Sequence, residues 1–248
     1  MSDTVSINET QRGEAEITLP PLESGEVRVT DEAFGPVINL TGEPLHTKEI
    51  TRAVQMFVKD NYLITNNSRD DSIPKEKGIC DLSIPGLKGS WTTYIGDFGV
   101  NDLHGRLAFA YKYFKRLRIV DPSNMVQRET IFDSQNLSKG QNDIQTLEPT
   151  NITHFWGMSP GENHFWMLYS GRTPVDVQRD NRSNNKYIYV EKYDWNGNPV
   201  KKYRLDDWGY FCVDEKNETL YLSSTASVFS ILKYDLTGQP EPENPGFK

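Results

Sequence analysis

The sequence predicts an all-β chain, a β-propeller built from four-stranded antiparallel blades. Three observations predict it. Helical periodicity is missing from Ala53 onward. Short apolar or alternating runs, rich in β-branched and aromatic residues, recur between clusters of Gly, Asn, Asp and Pro. These runs also repeat as a unit: an apolar strand, a polar turn, a second strand, a loop of variable length, and a third strand ending near an Asp. Copies begin roughly 40 to 60 residues apart, a period that antiparallel propeller blades produce.

The first copy comprises Ala53 to Val58, a turn at Lys59-Asp60-Asn61, Tyr62 to Thr65, and Gly78 to Asp81. The second runs through Thr93 to Ile95, a turn from Asn101 to Gly105, Leu107 to Tyr111, and Arg116 to Asp121, with Val126 to Phe132 as an outer strand. The third has His154 to Trp156, a turn from Ser159 to Asn163, His164 to Tyr169, and Tyr187 to Asp194. An Asn-Gly turn at Asn196-Gly197 then leads to the outer strand Pro199 to Leu205. The fourth has Tyr210 to Val213, a turn from Asp214 to Asn217, Thr219 to Leu222, and Phe229 to Asp235. Its outer strand is missing, because the chain turns into a Pro-rich stretch from Pro240. A free edge exposes unpaired backbone groups, so an early segment is expected beside Phe229 to Asp235. The candidates are Glu26 to Thr30 and, preferred, Gly35 to Leu40, where Pro36 suits the start of an edge strand.

The organisation expected is an acidic, partly disordered N-terminal arm over 1–35, a propeller over 36–240, and a tail over 241–248. The chain has 248 residues, 36% hydrophobic and 25% charged, enough for one or two ordinary cores. Its 27 basic against 35 acidic residues give a net charge of -8, which disfavours non-specific nucleic-acid binding. No run has the roughly 18 to 20 apolar residues that a transmembrane helix needs.

The stretch Lys192 to Leu205, followed by Phe211 to Leu222, resembles the TolB-like six-bladed β-propeller proteins of Bacteroides-type bacteria. The resemblance extends over Tyr94 to Asp97 and on to Asp121, so that roughly Leu40 to Leu236 can be placed. It is carried by blade hairpins, not by a catalytic motif, and so implies a fold and no active site. Four blades are clear where the family has six, which implies degenerate blades or a shortened form. Many proteins of this type are exported lipoproteins. Met1 to Gly13 carry no signal core or lipobox, so the expected location is the periplasm or cell surface if a leader has been removed, and the cytoplasm otherwise.

Chemical signatures are sparse. Cys80 and Cys212 each sit in a strand, where a free thiol behaves as a small buried hydrophobe. His46, His104, His154 and His164 include no pair at helical ligand spacing, although His154 and His164 lie on neighbouring strands of one hairpin. Asn66 to Asp71 and Asp214 to Asn217 read as turns, not calcium loops. No metal and no cofactor is expected. The cluster Arg106, Lys112, Lys115, Arg116 and Arg118 reads as a solvated blade edge. The aromatics of the third copy, Trp166 and Tyr193 among them, are expected between blades, as are Leu63, Phe109 and Tyr221 on the other second strands.

The connections between second and third strands share one end of a propeller, and two are long: Asn66 to Lys77 and Ser170 to Asn185. Loops on a rigid scaffold are where binding concentrates. Ligand-binding residues are therefore expected at Arg172, Asp176, Arg179 and Arg182, joined by Trp156 and His164. The function expected is a non-enzymatic binding or scaffold propeller, monomeric, that recognises a peptide, glycan or protein partner and no nucleic acid. The alternative is a propeller enzyme, a metal-assisted hydrolase or lyase on an extracellular polymer, with carboxylates and His in the central channel.

Overall fold

The computed structural model describes residues 19, 21–45, 82–84, 94–132, 151–183, 185–224 and 231–238. The first repeat copy, the loop 66–77 and Cys80 lie outside the described residues. The N-terminal segment contributes β1 (Gly25–Val29), a 3-10 turn (Asp31–Phe34), β2 (Ile38–Leu40) and β3 (Glu43–Pro44). The second copy supplies β4 (Gly96–Asn101), β5 (Arg106–Tyr111), β6 (Arg116–Asp121) and β7 (Val126–Phe132). From the third come β8 (Thr153–Pro160), β9 (His164–Arg172), helix α1 (Pro174–Arg182), β10 (Ile188–Asp194) and β11 (Pro199–Leu205). The fourth gives β12 (Gly209–Asp214), β13 (Thr219–Ser224) and β14 (Ile231–Asp235).

Each of the three described copies is an antiparallel meander, and the repeated Asp has a visible purpose. Asp121, Asp194 and Asp235 end β6, β10 and β14, and one carboxylate oxygen of each accepts the backbone N–H two residues on, from Ser123 (3.0 Å), Asn196 (2.9 Å) and Thr237 (2.8 Å). A side chain thus closes each turn in place of a backbone carbonyl. The Asn-Gly turn is also present, with Gly197 at φ 81° where a Cβ would be strained. β4 falls on Gly96 to Asn101, beyond the Thr93 to Ile95 expected. Two glycines, an Asp and an Asn make that stretch read as turn, and its full pairing with β5 overrides the local preference.

The strand orders are β1-β7-β6-β5-β4, β2-β11-β10-β9-β8 and β12-β13-β14-β3, with β4, β8 and β12 innermost and β8 packed between the other two. The N-terminal segment crosses all three sheets as a strap. β1 adds parallel to β7 (Val27 opposite Thr130), β2 adds parallel to β11 (Asn39 opposite Arg204), and β3 adds antiparallel to β14 (Lys233 opposite Glu43). An early segment does cover the last sheet's edge, but it is Glu43–Pro44, not Gly35 to Leu40 or Glu26 to Thr30. Those two are consumed at the edges of the preceding sheets, and Pro44, lacking an N–H, takes the edge position assigned to Pro36.

The core lies between sheets. Ala108, Ala110, Leu117 and Ile119 of the first meet Phe155, Phe165, Met167, Tyr193 and Trp195 of the second. Trp166, Leu168, Val190 and Leu205 of the second meet Phe211, Val213, Leu220 and Leu222 of the third. Cys212 is buried. Phe109, Trp166 and Tyr221 are buried as expected. They are not equivalent, however: Trp166 faces the next sheet, whereas Phe109 packs on the opposite face with Tyr111 and Tyr113. Aligning copies by their aromatic residue slipped the register by one, which reverses the face of every side chain.

The basic cluster is not a solvated edge. Arg106, Lys115 and Arg118 are buried, and each is matched by an acceptor remote in sequence or across the sheet. Arg106 donates to Trp195 O (3.1 Å) and Asn196 Oδ1 (2.7 Å), Arg118 pairs with Glu129 (3.3 Å), and Lys115 pairs with Glu191 (3.3 Å) and with Asp31 of the strap.

Candidate functional site

β9 outruns its partner at the end where the 2–3 connections emerge, and the chain there forms a helix, not the loop expected from Ser170 to Asn185. Thr173 caps it: its Oγ1 accepts the Asp176 N–H at 3.1 Å and donates to the Asp176 carboxylate at 2.7 Å, while Pro174 occupies the first turn. α1 buries no residue of its own, so no apolar stripe advertised it.

Arg172 fastens this helix to the sheet. Its Nη1 donates to Asp180 at 2.9 Å, its Nη2 donates to Tyr187 O at 2.5 Å, and the guanidinium lies 3.8 Å from the Tyr187 ring centre. One side chain thereby joins the end of β9, the helix and the return to β10. Among the described residues its Nε is buried without a hydrogen-bond partner, as is Ser170 Oγ.

Under α1 lies a cavity of about 390 Å³, within the range of small-molecule pockets. Trp156, Trp208, Val177 and Ile188 supply apolar walls, and Lys112, Ser170 and Arg172 supply polar groups. The Trp156 and Trp208 rings are 5.4 Å apart. Trp156 precedes Gly157, whose φ of 74° marks a bulge where β8 slips register against β9. The Gly157 N–H donates to Asp97 Oδ2 at 2.8 Å. Burial holds that carboxyl above the ordinary range against this hydrogen bond and the field of Lys112.

On its other side Trp156 borders a wider groove of about 1000 Å³ between the innermost strands, which also holds Asp97, Phe98, Leu103 and Tyr210. Phe98, Leu103 and Tyr210 are 63%, 64% and 69% exposed. Among the described residues no three His, Cys, Asp or Glu side chains converge as metal ligands.

Of the residues singled out by sequence, Trp156 and Arg172 meet at the cavity. Asp176 and Arg179 pair with each other at 2.7 Å on the outer surface of α1, and Arg182 is exposed at its end. His164 stands at the opposite end of the hairpin, 2.6 Å from Glu215, whose carboxyl is held below the ordinary range against its burial by His164 and by the N–H groups of Asn163 and Glu162. His154 and His164 do not meet, since His154 stacks on Tyr169 and His164 on Trp166. Ser170 and Trp208 are not singled out as site residues by sequence reasoning, and Lys112 reads from sequence as part of a basic blade edge. They come from three separate segments, and only pairing of the sheets brings them together.

Three mainly antiparallel sheets, packed side by side through β4, β8 and β12, define a mostly-β protein. A family model described as TolB-like 6-blade propeller-like matches residues 35–216, well over half of the chain, and the chain belongs to that family. No curated protein and no solved structure matches it.

Proposed function

We propose that this protein is a non-enzymatic binding module that takes a peptide, glycan or protein partner at the end of the sheets where α1 stands, with the Trp156–Trp208 cavity as its contact. The reading is supported by one observation above others: aromatic walls and buried, unmatched polar atoms of Arg172 and Ser170 occur in the same cavity. Aromatic faces offer contact area at little entropic cost, and unsatisfied buried donors reward a ligand that supplies acceptors. Asp176, Arg179 and Arg182 form the exposed rim.

The test is a comparison of labelled wild-type protein with Val177→Trp, which fills the cavity, on glycan and peptide arrays. Ligands bound by the wild type and lost in the variant, with melting temperature unchanged, are the expected result. Binding indifferent to Val177→Trp and to Arg179→Ala/Arg182→Ala would remove this end of the molecule as the site.

A further inference from the structure

Resting on that reading of the cavity, we infer that the group it accepts is an organic anion: a carboxylate carried on an apolar, planar body. The walls set the body. Trp156 and Trp208 present rings, Val177 and Ile188 close the apolar surface, and about 390 Å³ has room for one or two fused rings with a headgroup.

The polar groups set the charge. Among the described residues no acidic side chain lines the cavity, whereas Lys112 and Arg172 both do. Among the described residues Lys112 makes no ion pair; its amine lies 5.6 Å from the Tyr113 ring centre and acts on Asp97 only through its field. The carboxylates nearby are engaged: Asp180 holds Arg172 Nη1, and Asp97 takes the Gly157 N–H. The Nε of Arg172, left without a partner, can only donate, and the same is true of the Lys112 ammonium. A neutral apolar guest would leave Arg172 Nε, already buried, unmatched and would strip water from the Lys112 ammonium at the full desolvation penalty. A carboxylate would give each a charge-assisted hydrogen bond, with Ser170 Oγ as a third donor. A neutral sugar would satisfy hydrogen bonds but leave the Lys112 charge, unlike that of Arg172, without an ion-pair partner.

The experiment is calorimetric titration of the full chain with 2-naphthoate and with its neutral isostere 2-naphthamide. We expect naphthoate to bind at one site at least about tenfold more tightly, a difference that Lys112→Met erases and that Val177→Trp removes by blocking both probes. If Lys112→Met does not fold, the salt dependence of the wild type replaces it: naphthoate binding weakens between low and high salt and naphthamide binding does not. Equal affinity for the two probes would overturn the anion preference and leave the binding reading standing. Binding of neither probe would likewise overturn it, and the array comparison above would then decide alone whether the cavity binds anything. Competition identifies the source of the carboxylate. Displacement of naphthoate by 3-phenylpropionate only points to a free organic acid, and displacement also by acetyl-Gly-Gly-Phe points to a peptide C-terminus.

Discussion

Between the first and second sheets a buried ion network is added to the apolar core, whereas the second and third sheets meet through an apolar layer. At the first interface Lys115, Glu191 and Lys202 are buried together, with Glu191 pairing both lysines at 3.3 and 3.0 Å. Aromatic rings enclose the ammonium groups: Lys115 lies 4.0 Å from the centre of Tyr169, and Lys202 lies 4.6 Å from Tyr169 and 4.7 Å from Tyr189. The Tyr193 hydroxyl donates to Glu191 at 2.5 Å, and burial beside that carboxylate raises the phenol's pKa so that it stays a donor. At the second interface the buried surfaces are Trp, Leu, Val and Phe, with polar ties from the Val213 N–H to Ser159 Oγ at 2.9 Å and, at the part-buried end of the hairpin, from His164 to Glu215 at 2.6 Å. Similar strand plans thus give two kinds of joint. A buried ion network tolerates one arrangement of partners, while an apolar layer is stabilised by area and accepts any arrangement that fills it. The strap docks at the demanding joint, placing Asp31 on Lys115 and Phe34 against Phe132 and Tyr193 (5.8 and 5.4 Å).

The harshest way to break the comparison is to remove what spans both joints. Deleting residues 1–45 takes away β1, β2 and β3 and exposes three sheet edges, so the protein is expected to unfold or aggregate. A monomer by size-exclusion chromatography that melts at the wild-type temperature would show that the strap contributes no stability. At the charged joint, Glu191→Leu should cost about 3 to 5 kcal/mol in urea unfolding, because two buried ammonium groups lose their shared partner. Lys115→Met/Glu191→Leu/Lys202→Met should recover most of that loss, since an apolar replacement of a whole buried network is often neutral or stabilising. Failure of the triple variant to improve on the single one would mean that Glu191 acts by shape and not by charge. At the apolar joint, Trp166→Ala should cost about 3 to 5 kcal/mol through lost contact and residual cavity. A loss well under 1 kcal/mol there would remove volume as the source of that joint's strength.

Much of this architecture was legible locally. The strand–turn–strand unit and its terminal Asp are short-range signals, and Asp121, Asp194 and Asp235 act within two residues of themselves. The strap was half legible: the need for an edge partner followed from the missing outer strand, but the choice of Glu43–Pro44 depends on parallel pairings of β1 and β2 that leave no turn signature. The charged joint was misread because the partner of Lys115 in the strap is 84 residues away, and a buried lysine looks like a surface lysine until its carboxylates are placed. At the candidate site, Trp156 and Arg172 belong to one hairpin and could be named from it. Lys112 and Trp208 arrive from the neighbouring sheets, so no linear reading could join them.

Acid should separate the joints most cleanly, because a titrating imidazole is buried at only the charged one. His154 stacks on Tyr169 there, and burial, together with the nearby Lys115 charge, lowers its pKa to about 4 from an ordinary 6.5. The sign follows from proton counts. Between these values the unfolded chain binds a proton at this residue and the folded chain does not, so stability is lost as pH falls from about 6.5 toward 4, by about 3 kcal/mol in total. Carboxylates with lowered pKa, such as Asp121 and Asp235, add acid lability of their own, but they are shared by every variant and cancel in a difference. Urea unfolding of the wild type and of His154→Phe, followed from pH 7 to pH 4, should therefore give curves that converge or cross as pH falls, the wild type declining more steeply. Trp166→Ala, at the apolar joint, should instead run parallel to the wild type over the same range. Parallel curves for His154→Phe would mean that the imidazole takes up its proton inside the folded protein, and the charged joint would then have to accommodate a third cation beside Lys115 and Lys202.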